Sequence, residues 1–128
     1  MTNSPYIMIV DDDVFIRKLV EFNVNKAGYT SEVFKNGFAA FQAIQKRRPD
    51  CILLDVMMPV MDGFEFLDRF NDVFTDDNRP PVILLTARAQ ENDAQQARQK
   101  GVLHYITKPF VPAELIELID TVLHPTDE

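Results

Sequence analysis

Asp11, Asp12 and Asp13 stand in one run, and three carboxylates so close together repel one another at a cost unless positive charge is nearby. That run hints at a bound cation. Asp55, Thr86 and Lys108 are the other residues whose types could do chemistry. A carboxylate can attack phosphorus and form an acyl phosphate, provided that its repulsion for the incoming dianion is neutralised. Gathered carboxylates favour a hard divalent cation with oxygen ligands and retained water, the preference of Mg²⁺, and Lys108 would add a second source of positive charge. The Thr86 hydroxyl is a neutral donor that could meet a phosphoryl oxygen, and small Ala87 beside it leaves room for the group. Asp55 is expected to be ionised already, so no general base is required.

These residues are far apart along the chain, and only the elements between them can bring them together. Short apolar runs alternate with helical patterns, the signature of parallel βαβ units. Tyr6 to Val10 reads as the first strand, and Phe15, Ile16, Leu19, Val20, Phe22 and Val24 recur at near-helical spacing until Gly28 supplies a left-handed C-cap. Thr30 to Phe34 is a second strand, and Gly37 to Lys46 a helix stopped by Pro49. Cys51 to Leu54, apolar throughout, predicts a central strand buried on both faces, with Asp55 directly after it. Met58 to Gly63 reads as a loop with a turn, Phe64 to Phe70 as a short helix, and Asn71 to Pro81 as the longest and most mobile connector. Val82 to Leu85 is the fourth strand, Gln90 to Lys100 a polar helix closed by Gly101, Leu103 to Ile106 the fifth strand, and Pro112 opens a last helix running to about Leu123.

Five such units predict an α/β doubly wound fold, a five-stranded parallel sheet in the flavodoxin-like order 2-1-3-4-5. Ligands then bind beyond the carboxyl ends of strands 1 and 3, where the order reverses. Asp11 to Asp13, Asp55, Thr86 and Lys108 each follow a strand, so one sheet edge would collect them all.

Ile9-Val10-Asp11-Asp12-Asp13, the segment from Leu53-Leu54-Asp55 through Pro59 to Gly63, Leu85-Thr86-Ala87, and Tyr105-Ile106-Thr107-Lys108-Pro109-Phe110 together resemble the CheY-like receiver domains of bacterial two-component response regulators. The resemblance covers about residues 6 to 123 of a chain read as a single receiver domain, 1 to 128. Acid pairs and Lys-Pro dipeptides are common singly, but these segments, in order and at the right strand ends, are specific. The resemblance implies that Asp55 is the phosphoacceptor, that Asp12 and Asp55 bind Mg²⁺ through carboxylate oxygens, Asp11 through water and Met57 through its backbone carbonyl. Asp13 stands just outside this set. It also implies that Lys108 pairs with Asp55 or the phosphoryl group, that Thr86 moves toward a phosphoryl oxygen, and that the Lys108–Pro109 bond is cis. Tyr105 matches the aromatic that swings inward when the threonine moves, remodelling the surface of helix 4, strand 5 and helix 5. The implied phosphodonor is a sensor histidine kinase or a histidine phosphotransfer protein, and the implied output is a downstream effector or a separate output domain. Such a protein is a switch rather than an enzyme, catalysing only its own phosphoryl transfer and dephosphorylation; Met57 and Arg88 match positions that tune the latter. The competing reading is a phosphorylation-independent interaction domain on the same fold.

Simpler explanations account for part of the pattern. One of the three aspartates is expected to cap helix 1, which leaves the others unexplained. Met57, Met58 and Met61 are read as packing and loop residues, since thioethers select soft metals. His104 and His124 have no Cys partner and do not suggest zinc. Cys51, the single cysteine, is read as a small buried hydrophobe. A flavin-binding protein of this fold needs a phosphate cradle after strand 1, where three aspartates would instead repel the flavin phosphate. An aspartate-based phosphatase would carry its nucleophile after the first strand, not the third.

The formal charge of -7 in 128 residues, with a pI of about 4.7, opposes direct binding of a nucleic-acid backbone. No stretch reaches the roughly 18 apolar residues of a membrane span, and the N-terminus has neither a basic start nor an apolar core, so the expected location is cytoplasmic. The last helix holds Glu114, Glu117 and Asp120 with no Lys or Arg, and Leu103-His104 precedes Tyr105. The reciprocal salt bridges by which DNA-binding relatives dimerise through helix 4, strand 5 and helix 5 therefore cannot form, and a monomer or weak dimer is expected.

Overall fold

Strand formers without helical spacing build the sheet, and their burial separates its centre from its edges. In the computed structural model, which describes residues 4–58, 60–87 and 91–124, β1 (Tyr6–Val10), β3 (Cys51–Asp55) and β4 (Val82–Thr86) are buried along their whole length. The outer strands, β2 (Thr30–Phe34) and β5 (His104–Thr107), are partly exposed and carry polar residues. All neighbours pair in parallel in the order β2-β1-β3-β4-β5, so the carboxyl ends of the strands share one edge. The crossovers are α1 (Val14–Lys26), α2 (Gly37–Ile44), α3 (Gly63–Val73) and α4 (Glu91–Gln99), and α5 (Pro112–Leu123) follows the last strand.

Successive strand side chains point to opposite faces, which divides the core in two. Met8, Val10, Ile52, Leu54 and Leu84 pack with Ala40 and Ile44 of α2, Phe66 and Phe70 of α3 and Ala97 of α4. Ile7, Ile9, Leu53, Ile83 and Leu85 pack with Val20 and Val24 of α1 and Leu115 and Ile119 of α5. Cys51 belongs to this second face, fully buried, and burial pushes its thiol up to about 12. It is a packing residue, inert at neutral pH.

Helix ends follow the expected capping chemistry. Asn36 accepts from the Ala39 amide at 2.8 Å to start α2, and Gly28 takes the left-handed conformation, at φ 101°, after α1. Beyond α4, Lys100 binds its end to α3: its carbonyl accepts from Asn71 Nδ2 at 3.0 Å and from the Arg79 guanidinium, and its ammonium meets Asp68 at 2.6 Å.

Several boundaries differ from the sequence expectation. β3 and β4 each run one residue further, taking in Asp55 and Thr86, because backbone pairing continues past the last apolar side chain. β5 is His104–Thr107 rather than 103–106, and α2 ends at Ile44 instead of Lys46. α3 begins at Gly63 and continues to Val73, a turn beyond Phe70, so the connector shortens to 74–81. Phe70 is fully buried and its ring meets those of Phe66 and Phe74, at 5.9 Å and 5.1 Å between centroids; this burial outweighs the weak helix propensity of Asn71 and Asp72. Pro59, Arg88 and Gln90 lie outside the described residues.

Candidate functional site

At the end of β1 the three aspartates divide their tasks. Asp13 is the N-cap of α1, its Oδ1 accepting from the amides of Phe15 at 2.8 Å and Ile16 at 3.3 Å. Asp11 is fully buried: its amide donates to the Phe34 carbonyl at 3.1 Å, and its Oδ1 accepts from the Asp13 amide at 2.9 Å. Asp12 is exposed at the mouth. Capping thus accounts for Asp13 alone and leaves Asp11 and Asp12 for other work.

Asp55 enters the same space as the last residue of β3, paired in register with Leu85 and only 5% exposed. Its Oδ1 receives the Met57 amide at 3.4 Å. Gly63, the first residue of α3, is required here by close approach: a Cβ on it would lie 2.6 Å from the Asp55 carbonyl oxygen. Lys108 reaches in from the end of β5, its amide donating to the Thr86 carbonyl at 2.6 Å and its bond to Pro109 cis. Its Nζ lies 2.7 Å from Asp11 Oδ2 and 3.4 Å from Asp55 Oδ1.

One carboxylate oxygen from each of Asp11, Asp12 and Asp55 falls within 4.8 Å of the others. Asp11 Oδ2 is buried and, apart from the charge contact with Lys108, has no hydrogen bond of regular geometry. Hard oxygen donors, two of them buried beside one ammonium, leave an excess of negative charge that suits a divalent cation such as Mg²⁺.

Burial, reinforced by the Asp11 carboxylate, pushes Asp55 up to about 7, against the opposing pull of Lys108 and the Met57 amide. Positive charge added at this site would favour the ionised form of Asp55. Burial works to lower the Lys108 pKa, but its hydrogen bonds and charge contacts with Asp11 and Asp55 outweigh that and raise it.

Among the other expected residues, Thr86 is buried at the end of β4 on the same edge. Tyr105, paired in register with Leu84, is 47% exposed on β5 and stands apart from the acids. The Met57 side chain is exposed, and its backbone is what approaches Asp55, whereas Met58 and Met61 are core residues. His104 and His124 take no part in the carboxylate cluster. Arg17 was missed by sequence reasoning; its Nη1 donates to the Asp11 carbonyl at 2.8 Å. The one available signal was its place on the first turns of α1, directly after the acids.

Comparison with known proteins agrees with this geometry. The response regulator receiver domain family matches residues 7–120. The chain is 40% identical over 121 residues to the phosphate regulon transcriptional regulatory protein PhoB of Pseudomonas aeruginosa, covering 94% of this chain and 52% of that protein. It thus spans about half the length of these curated transcriptional regulators. The chemotaxis protein CheY4 of Vibrio cholerae superposes with a TM-score of 0.86 at 32% identity, covering 94% of this chain and 99% of that one. The receiver domain of sensor histidine kinase PA1611 from Pseudomonas aeruginosa, solved with a magnesium ion coordinated in its active-site cleft, superposes with a TM-score of 0.83 at 28% identity, over 94% and 98% of the two chains. With the fold, the acidic pocket and the sequence in agreement over nearly its whole length, the chain belongs to the response regulator receiver domain family, a signalling family of two-component systems.

Proposed function

We propose that this chain is a phosphorylation-controlled switch that takes a phosphoryl group on Asp55 from a sensor histidine kinase or a histidine phosphotransfer protein. The observation that carries this reading is the buried Asp55 carboxylate 3.4 Å from the Lys108 ammonium, with oxygens of Asp11 and Asp12 gathered beside it. An Asp55 oxygen attacks phosphorus, the bond from phosphorus to the donor's imidazole nitrogen breaks, and its electron pair leaves with the donor. Asp12 and Asp55 would hold Mg²⁺ by carboxylate oxygens, Asp11 through water and Met57 by its carbonyl. Bound there, a cation would supply positive charge that favours the ionised Asp55 and offsets the phosphoryl oxygens. Lys108 pairs with the new group, and the Thr86 hydroxyl donates to one of its oxygens.

Output follows from a shift in population between two states of the α4–β5–α5 surface, which then engages an effector or an output domain. Tyr105 borders a cavity of only about 20 Å³, lined also by Leu84, Ala97 and Val102. That is room for about one water, so an inward turn of Tyr105 would need the neighbouring side chains to rearrange. The chain acts in the cytoplasm as one receiver unit; among the described residues no helix is long and apolar enough to cross a membrane.

Intact mass after incubation with acetyl phosphate and MgCl₂ tests the reading. Wild type is expected to gain one phosphoryl mass, about 80 Da from its formula, and Asp55→Asn or EDTA to abolish the gain. A wild type that stays unmodified under rapid quenching with several donors would favour the phosphorylation-independent interaction domain.

A further inference from the structure

We propose that Arg17 is a positioning residue for the divalent-cation site, holding the Asp11–Asp12 peptide so that the Asp12 carboxylate stays turned toward Asp55. The inference rests on the metal-dependent reading above. The half-buried Arg17 stands close to three aspartates, yet among the described residues it forms no ion pair. Its guanidinium instead donates to a main-chain oxygen, the Asp11 carbonyl, at 2.8 Å. That carbonyl belongs to the peptide plane leading into Asp12.

Two other polar groups of Asp11 are held by hydrogen bonds, the amide by Phe34 of β2 and Oδ1 by the Asp13 amide, while Oδ2 has only its charge contact with Lys108. The carbonyl is the remaining handle on the acid turn, and it is the one nearest Asp12. Asp12 itself is exposed and so has little packing to orient it. Arg17 is in turn anchored by the first bond of α1, its amide donating to the Asp13 carbonyl at 3.0 Å. The turn between β1 and α1 is therefore braced from the helix, and outer partners of this kind typically tune metal affinity by 10- to 100-fold.

Charge and position predict opposite signs, which makes the proposal decidable. A guanidinium near a cation site repels the cation, so removing the charge alone would tighten Mg²⁺ binding. Removing the brace would loosen it.

The experiment is a MgCl₂ titration followed by amide NMR shifts for wild type and Arg17→Met, which keeps most of the apolar stem and loses both donor and charge. The thermal midpoint of each is measured in EDTA. Arg17→Met is expected to bind Mg²⁺ at least about tenfold more weakly, with a midpoint in EDTA close to that of wild type. Equal or tighter binding overturns the proposal, as does a lowered midpoint with an unchanged dissociation constant. Should Arg17→Met fail to fold, Arg17→Lys replaces it, keeping the charge but not the planar fork: several-fold weaker binding supports the brace, and unchanged binding overturns it. A wild type that binds no Mg²⁺ overturns the metal-dependent function itself, whereas binding by wild type with no effect in the variant overturns only the role of Arg17.

Discussion

Asp55 shows how a residue's role depends on its surroundings. In an unfolded chain its carboxyl titrates at the ordinary value of 3.8, while in the fold burial and the Asp11 charge hold it at about 7. Across that window the folded state binds more protons than the unfolded one, so this group's contribution to stability is greatest below about pH 4 and declines as pH rises to about 7. In EDTA, the neutral isostere Asp55→Asn is expected to be more stable than wild type at pH 8, by on the order of 1–3 kcal/mol. Urea unfolding checks this: the difference should grow between about pH 4 and 7, level off above, and shrink when MgCl₂ is added. A less stable Asp55→Asn at pH 8 in EDTA would contradict the charge balance described here. At this scale, the crowding of Asp11, Asp12 and Asp13 was legible from their spacing, since like charges in a run demand an explanation. Arg17 was not, because a lone arginine on a helix carries no sign of whether it faces solvent, a carboxylate or a carbonyl.

Among the elements, the meeting of β3 with the start of α3 sets the position of Asp55. Gly63 donates its amide to the Val56 carbonyl at 2.9 Å, and a Cβ there would meet the Asp55 carbonyl oxygen at 2.6 Å and Val56 Cα at 3.0 Å. Both neighbours are backbone and cannot step aside cheaply. Gly63→Ala, favourable by helix propensity alone, is therefore expected to destabilise the fold by about 1–3 kcal/mol through overpacking, read by urea unfolding, and to weaken Mg²⁺ binding by displacing Asp55. Stability equal to or above wild type would mean that the strand end yields freely. The sequence reading took Gly63 for a turn residue, since Asp-Gly after Pro and Met is turn chemistry. It placed the strands by their apolar runs and so stopped each of β3 and β4 one residue short. The ladder continues through Asp55 and Thr86 because hydrogen bonding belongs to the backbone, whatever the side chain.

For the whole molecule, charge and surface decide which partners are suited. The formal charge of -7 and an α5 with acidic residues but no Lys or Arg remove from α5 the basic partners that reciprocal ion pairs of the DNA-binding relatives' type would need. Leu103, Tyr105 and Val111 are exposed on or beside β5. Sedimentation at tens of micromolar is expected to show the monomer both before and after treatment with acetyl phosphate and MgCl₂; a phosphorylation-dependent dimer lost on Tyr105→Glu would place the twofold contact on that face after all. By itself the sequence determined the alternation of strands and helices, the parallel sheet and the strand ends that carry the acids, because hydrophobic periodicity and glycine and proline punctuation are local properties. Only the tertiary structure decided which aspartate caps α1, that burial raises the Asp55 pKa, that Gly63 lies against its carbonyl and that the Arg17 guanidinium reaches the Asp11 carbonyl. Each of those depends on distances between elements far apart in the chain, and such distances exist only once the two faces of the sheet are packed.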